Sequence, residues 1–274
     1  MRKVLLQDLI TSLFELYSPN TSISASALVS LLDKLDVGQG AARSSISRLK
    51  NKNILERTAT ADGPQYALHP ETRALQHRYA QRVFNPERSN IGDPWALIIF
   101  SVPEPKRQHR YTLKRELTGL GFGFVGPAVA IAPHAALDEA LIRLQQHNLL
   151  QYVTYFTADY GAASDLPEKV AEWWDLPALE KQYQTFIERY QPLLASLQTA
   201  GPNQSAALQK NEAFAIYAPL YTQWKFFPYH DPNIPLPLLP ANWPAPKAKA
   251  IFYKLDDLLA DPAHDAVQNV LASH

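Results

Sequence analysis

Between Pro219 and Pro246 the chain carries eight prolines and six aromatic residues, Tyr221, Trp224, Phe226, Phe227, Tyr229 and Trp243. Proline has no backbone N–H and a fixed φ, so such a stretch is expected to be neither regular helix nor central strand. Its aromatics are too many for a solvated linker. The pattern therefore predicts a rigid loop packed on helices, with residues 247–259 as a closing helix. Inside it, Trp224, Lys225, His230 and Asp231 admit two readings: a few polar groups orienting a ligand in an aromatic pocket, or plain core under a long loop. The bias extends to the whole chain, where 22 prolines against 10 glycines reverse the usual ratio of about 5% to 7%. With 46% hydrophobic residues over 274 positions, this is a folded chain with stiff loops.

The charges cancel globally, 26 Lys and Arg against 26 Asp and Glu, but not locally. Residues 1–90 hold 12 basic and 8 acidic side chains, a surplus of four. The same surplus is concentrated at 43–57, where Arg43, Arg48, Lys50, Lys52 and Arg57 meet one acid, Glu56. Around them, Leu5, Leu6, Leu9, Leu13, Leu16 and Tyr17 repeat at helical spacing up to Ser18-Pro19. Ser24 can cap a second helix with Leu28, Leu31, Leu32 and Leu35 inward. A Gly-bearing turn at 36–40 leads to a third helix over 41–53, with Ala42, Ile46 and Leu49 inward at i, i+4 and i+7. That register turns Arg43, Ser44, Ser47, Arg48 and Lys50 outward. Two short strands about Asp62-Gly63 follow. Three helices and a hairpin make a winged helix-turn-helix pattern, expected to occupy residues 1–70. Duplex DNA requires cations for phosphates and planar or hydroxyl side chains on a helix that enters the major groove. Arg43, Ser44, Ser47 and Arg48 supply that set, with Lys50, Lys52 and Arg57 beside them. A charge run alone would read as a solvated face; the ordered context favours DNA binding.

Residues 71–84 read as a linking helix, and 85–94 as a boundary rich in Asn and Pro. A second domain is expected at 94–163. The apolar run 95–102 reads as a central strand, 107–120 as an amphipathic helix, 128–132 and 150–157 as strands, and 137–147 as the helix between them. This is the order of a ferredoxin-like α/β plait, provided that 121–127 conceals a strand. Gly121-Phe-Gly123-Phe-Val-Gly126 matches G-x-G-x-x-G, but it follows a helix and leads to a strand, the inverse of a dinucleotide site. These glycines are read as a turn or as close backbone packing. Lys106, Arg107, Arg110, Lys114 and Arg115 cluster at helical spacing and offer either an anion site or a solvated face. Residues 164–274 read as a helical C-terminal domain, so the fold class is α+β.

The absence of cysteine removes disulfides, Cys-type metal sites and Cys nucleophiles. No apolar run approaches the roughly 20 residues of a membrane span, so the chain reads as soluble and cytoplasmic, with no membrane partner. The eight histidines form no H-E-x-x-H, and neither a G-x-S-x-G nor a P-loop is present. The strand 95–102 offers no carboxylate for a nuclease metal. No catalytic residue, metal site or bound cofactor is expected. A nuclease or an acyl-CoA hydrolase is the remote alternative, and distal domains that bind a protein partner are the nearer one.

Three stretches resemble a known family. They are Ala42-Arg43-Ser-Ser-Ile-Ser-Arg48-Leu with the hairpin ending Tyr66-Ala-Leu; Arg110-Tyr-Thr-Leu-Lys-Arg-Glu-Leu leading to Gly121-Phe-Gly123 and Ala130-Ile-Ala-Pro133; and Trp224-Lys225 through Asp231-Pro-Asn-Ile-Pro-Leu-Pro to Trp243. Together they resemble the PaaX-like bacterial repressors of phenylacetic acid catabolism. The resemblance implies an N-terminal winged helix-turn-helix, a central ferredoxin-like domain similar to those of CRISPR spacer-acquisition proteins, and a helical C-terminal domain in a homodimeric repressor. It further implies an aryl-acetyl coenzyme A inducer, typically phenylacetyl-CoA. Arg107, Arg110, Lys114, Trp224, Lys225, His230 and Asp231 are the candidate effector residues. Two positions depart from the family: Lys225 where Arg is frequent, and Asp62-Gly63-Pro64-Gln65 in place of a Gly-Arg pair in the wing.

Overall fold

The computed structural model describes residues 5–61, 63–74, 88–161, 165–199 and 210–273. The described residues form two compact units, the first drawn from 1–81, 185–225 and 247–274 and the second from 82–184 and 226–246.

In the first unit, α1 (Leu6–Tyr17) buries Leu9, Ile10, Leu13, Phe14 and Tyr17 along one stripe. It stops at Ser18, whose N–H returns to the Phe14 carbonyl before Pro19. Ser24 caps α2 (Ala25–Asp33) as expected, its Oγ accepting from the Ala27 N–H at 3.0 Å. The turn into α3 (Gln39–Asn51) has its left-handed residue at Asp36, φ 58°, and not at a glycine. Ala42, Ser45, Ile46 and Leu49 are the buried side of α3. The hairpin β2 (Leu55–Thr60) and β3 (Gly63–Leu68) is antiparallel, and Gly63 takes φ 111° at its tip. Asp62 lies outside the described residues. A two-residue strand, β1 (Ile23–Ser24), pairs with β3, giving the order β1-β3-β2. Of the expected linking helix, only its first residues are described, helical over 70–74; residues 75–87 lie outside the description.

In the second unit, β4 (Trp95–Phe100), α4 (Arg107–Gly119), β5 (Gly123–Gly126), β6 (Val129–Pro133), α5 (Leu137–Gln146) and β7 (Val153–Ala158) follow one another. The strands form one antiparallel sheet in the order β5-β6-β4-β7. One sheet face carries Ala96, Ile98 and Phe100, which pack with Leu113 and Leu117 of α4 and Leu137, Ala140 and Leu144 of α5. The strand within 121–127 is β5. Gly121 makes the preceding turn at φ 84°, and a Cβ on Gly123 would stand 2.6 Å from the Trp173 carbonyl and 2.7 Å from the Trp174 ring. The G-x-G pattern thus serves a turn and a close approach.

The helices α6 (Leu166–Trp173) and α7 (Leu176–Thr199) follow the helical spacing read in the sequence. The proline-rich stretch corrects that reading. Pro219 lies inside α8 (Lys210–Trp224), a short helix α9 (Phe227–His230) follows, and α10 (Ala245–Ala272) starts earlier and ends later than 247–259, running through Pro262. A proline in a helix interior costs about 3 kcal/mol. In α8 that cost is outweighed by burying Phe214, Tyr217, Leu220, Tyr221 and Trp224. Residues 231–244 remain an ordered irregular loop with a single turn at Leu236–Leu238. The separator 201–203 lies outside the described residues.

Candidate nucleic-acid interface and effector residues

Helix α3 is short of apolar residues, and its few fall on one stripe. The consequence is that Arg43, Ser44, Ser47, Arg48 and Lys50 are all exposed on the opposite side, with Lys52 at the C-cap and Arg57 exposed on β2. Arg48 and Lys50 lie in the last turn, where the helix dipole favours cations. The Arg48 guanidinium donates to Ser45 Oγ at 3.1 Å, which steadies it along the helix, and Lys52 Nζ donates to Gln7 Oε1 at 3.2 Å. Glu56, the one acid among them, is drawn toward Arg73, 3.9 Å away. The outward face therefore keeps its positive field.

A groove of about 740 Å³ adjoins this face, between α2, the start of α3 and the hairpin. Ser24, Ser26, Ser30, Gln39, Arg43 and Tyr66 contribute its hydrogen-bonding groups. Sequence reading took Ser24 as a cap only and missed the others. Spaced hydroxyls on α2 look like ordinary helix surface until the fold sets them beside Arg43.

The effector candidates separate. Arg107, Arg110 and Lys114 lie on α4 of the second unit. Arg110 donates to the Val102 carbonyl at 3.2 Å and faces Glu104 at 3.4 Å, while Lys114 Nζ lies 5.5 Å above the Phe124 ring. His230 is exposed, its Nδ1 2.8 Å from the Phe226 carbonyl oxygen. Asp231 is 4% exposed. Its Oδ2 accepts from Arg88 Nη2 and from the Tyr183 hydroxyl, each at 2.8 Å, and its Oδ1 from the Asn233 N–H at 2.7 Å. Burial first, and then the Asp231 charge and hydrogen bond, hold the Tyr183 hydroxyl well above its ordinary pKa. Arg88 also donates to the Ile234 carbonyl at 2.6 Å. Asp231 is thus the anchor of the 231–234 loop.

Trp224 and Lys225 belong to the first unit. Trp224 stacks on Phe252 at 4.6 Å and tilts against Phe186 at 5.4 Å. Lys225, 8% exposed, forms an ion pair with Glu15 of α1 at 2.9 Å, and Glu15 also accepts from the Tyr221 hydroxyl at 3.3 Å. The aromatics read as a pocket wall or as core are core at Trp224, and the cation beside it ties α8 to α1.

Among the described residues no group of three or more His, Cys, Asp or Glu could hold a metal ion, and no helix is long and apolar enough to cross a membrane. An outward helix bearing cations and hydroxyls beside a polar groove defines a surface suited to a polyanion, the surface of a nucleic-acid-binding regulator. Three family descriptions match in order along the chain: "PaaX-like protein" over residues 6–71, "PaaX protein central Cas2-like domain" over 88–170, and "PaaX-like protein C-terminal domain" over 174–269. The chain belongs to the PaaX-like family, and with it to the transcriptional repressors and not to the enzymes. It is 25% identical to the transcriptional repressor PaaX of Escherichia coli (strain K12) over 261 residues, 93% of this chain and 81% of that protein. Its fold is similar to that of an uncharacterized protein from Mycobacterium tuberculosis, with a TM-score of 0.59 and 21% identity over 97% of this chain and all of the other.

Proposed function

We propose that this chain is a cytoplasmic, homodimeric repressor of aromatic, phenylacetate-type catabolism genes, released from its operator by an aryl-acetyl-CoA such as phenylacetyl-CoA. Residues 1–70 act as a winged helix-turn-helix, 71–93 as a link, 94–163 as a ferredoxin-like domain, and 164–274 as the helical C-terminal domain. The β5-β6-β4-β7 antiparallel order within a strand–helix–strand–strand–helix–strand succession supports the second assignment. The observation that carries the proposal is the outward face of α3, with Arg43, Ser44, Ser47 and Arg48 exposed together in that context. Lys50, Lys52 and Arg57 add phosphate contacts around it. Release is a population shift: a thioester that prefers the non-binding state by about 3 kcal/mol lowers DNA affinity about a hundredfold.

Footprinting on the DNA upstream of the protein's own gene tests the reading. A protected pseudo-palindrome with half-sites about 10 base pairs apart, or a multiple of that, is the expected result for a dimer. Protection that phenylacetyl-CoA removes supports the inducer; protection that no CoA thioester alters assigns the distal domains to a protein partner. No protected site would overturn the proposal.

A further inference from the structure

Helix α4 carries Arg107, Gln108, His109, Arg110, Tyr111, Thr112, Leu113, Lys114, Arg115 and Glu116 in succession. Its apolar stripe, Leu113 and Leu117, goes to the core. Its single acid, Glu116, is also buried and is consumed internally, accepting from Arg115 at 2.7 Å and from Arg143 at 2.8 Å. What remains outside is cationic. The Arg115 side chain is 71% exposed, Tyr111 67% and the Arg110 side chain 44%, and Arg107 is exposed at the first position with Lys106 before it. The first turn holds no acid. Helix dipoles favour anions at that end, so cations gathered there are placed against the local field and call for an anion from outside.

We infer that the outer face of α4 is a second DNA contact, one that grips the phosphate backbone beyond the segment α3 reads. It rests on the assignment of α3 to the operator. Arg107, Arg110 and Lys114 follow one another at i, i+3 and i+7 and span about 10 Å, the axial length of about three phosphates on one strand. Tyr111 between them offers a hydroxyl of the kind that donates to phosphate oxygens. The exposure of these side chains decides between anions. A small ligand binds where concave walls bury most of its surface, whereas an exposed helix face meets an extended backbone. The contact carries no base specificity, so it adds affinity and salt dependence and leaves the recognised sequence unchanged.

The test uses the full chain and two duplexes: the footprinted operator alone, and the same operator extended by about 15 base pairs on each side. The slope of log affinity against log salt is measured between 50 and 200 mM. Each phosphate contact contributes about 0.9 to that slope. The wild type is expected to show a slope about 2–3 steeper on the long duplex. The Arg107→Gln/Arg110→Gln/Lys114→Gln variant loses that excess and binds the short duplex unchanged. A Thr118→Lys variant, which adds a cation to the same exposed row, steepens the long-duplex slope by about one. A wild type that binds the short duplex but gains no slope on the long one overturns the inference while leaving α3 in place; binding to neither overturns both. A triple variant with both slopes unchanged but a raised phenylacetyl-CoA requirement for release overturns it in favour of an effector site.

Discussion

Replacing Asp231 by alanine removes one carboxylate and leaves three donors without an acceptor: Arg88 Nη2 and the Tyr183 hydroxyl, each 2.8 Å away, and the Asn233 N–H at 2.7 Å. Removing one partner of a buried ion pair costs about 3–5 kcal/mol. Arg88 is 21% exposed and keeps the Ile234 carbonyl, which puts its share at the low end of that range. An orphaned buried hydroxyl adds about 1–3 kcal/mol. The two contributions share one group and do not add fully, so the expected loss is about 4 kcal/mol. Tyr183→Phe alone deletes one hydrogen bond and leaves Asp231 satisfied by Arg88 and Asn233, at about 1 kcal/mol. In the double variant the hydroxyl is no longer stranded, so the sum of the single effects exceeds the measured loss by about 1–2 kcal/mol. Urea unfolding is followed by tryptophan fluorescence, which senses this region through Trp243, 6.4 Å from Tyr183. Thermal midpoints are expected to fall by about 8–16 °C, at about 2–4 °C per kcal/mol for chains of this size. If Asp231 were a ligand group facing solvent, alanine would change stability by less than about 0.5 kcal/mol, and that result would refute the anchoring role.

Arg48→Ala is expected to weaken operator binding by about 1–3 kcal/mol if the side chain reads a base, measured by anisotropy across operator variants, whereas a phosphate contact would weaken all sequences alike. Gly123→Ala drives a methyl group into the Trp173 carbonyl and the Trp174 ring at 2.6–2.7 Å. Calorimetry should show a loss of about 1–3 kcal/mol, typical of overpacking, and an unchanged melting temperature would contradict the close approach. Burial pushes the Tyr190 hydroxyl up to about 12 and raises those of Tyr17, Tyr183, Tyr217 and Tyr221 further. These groups hold their protons in the folded state when the unfolded chain, with tyrosines near 10, has released them. Stability is therefore complete below about pH 10 and falls between pH 10 and 12. Urea midpoints across that range check it, and a flat profile would contradict it.

The parts legible in the sequence are those that local periodicity determines. The outward set on α3 follows from three apolar positions at i, i+4 and i+7, and tertiary contacts had only to confirm that register. Strand β1 went unread because two residues carry no period. Strand β5 is half glycine, so no alternation of apolar side chains marks it. Pro219 and Pro262 read as breakers, yet buried packing holds their helices together. Lys225 and Asp231 looked like free polar groups among aromatics because their partners lie far off in sequence. Glu15 is 210 positions from Lys225, and Arg88 is 143 from Asp231. Local reasoning sees that a buried charge requires a partner but not which one answers it.

The central claim is tested most directly by fluorescence anisotropy of the protein on its labelled upstream operator at two salt concentrations, with and without phenylacetyl-CoA. The account predicts binding that resists competitor DNA, weakens as salt rises and is lost when the thioester is added. Absence of specific binding at either salt concentration would contradict it and return the exposed face of α3 to an ordinary solvated surface.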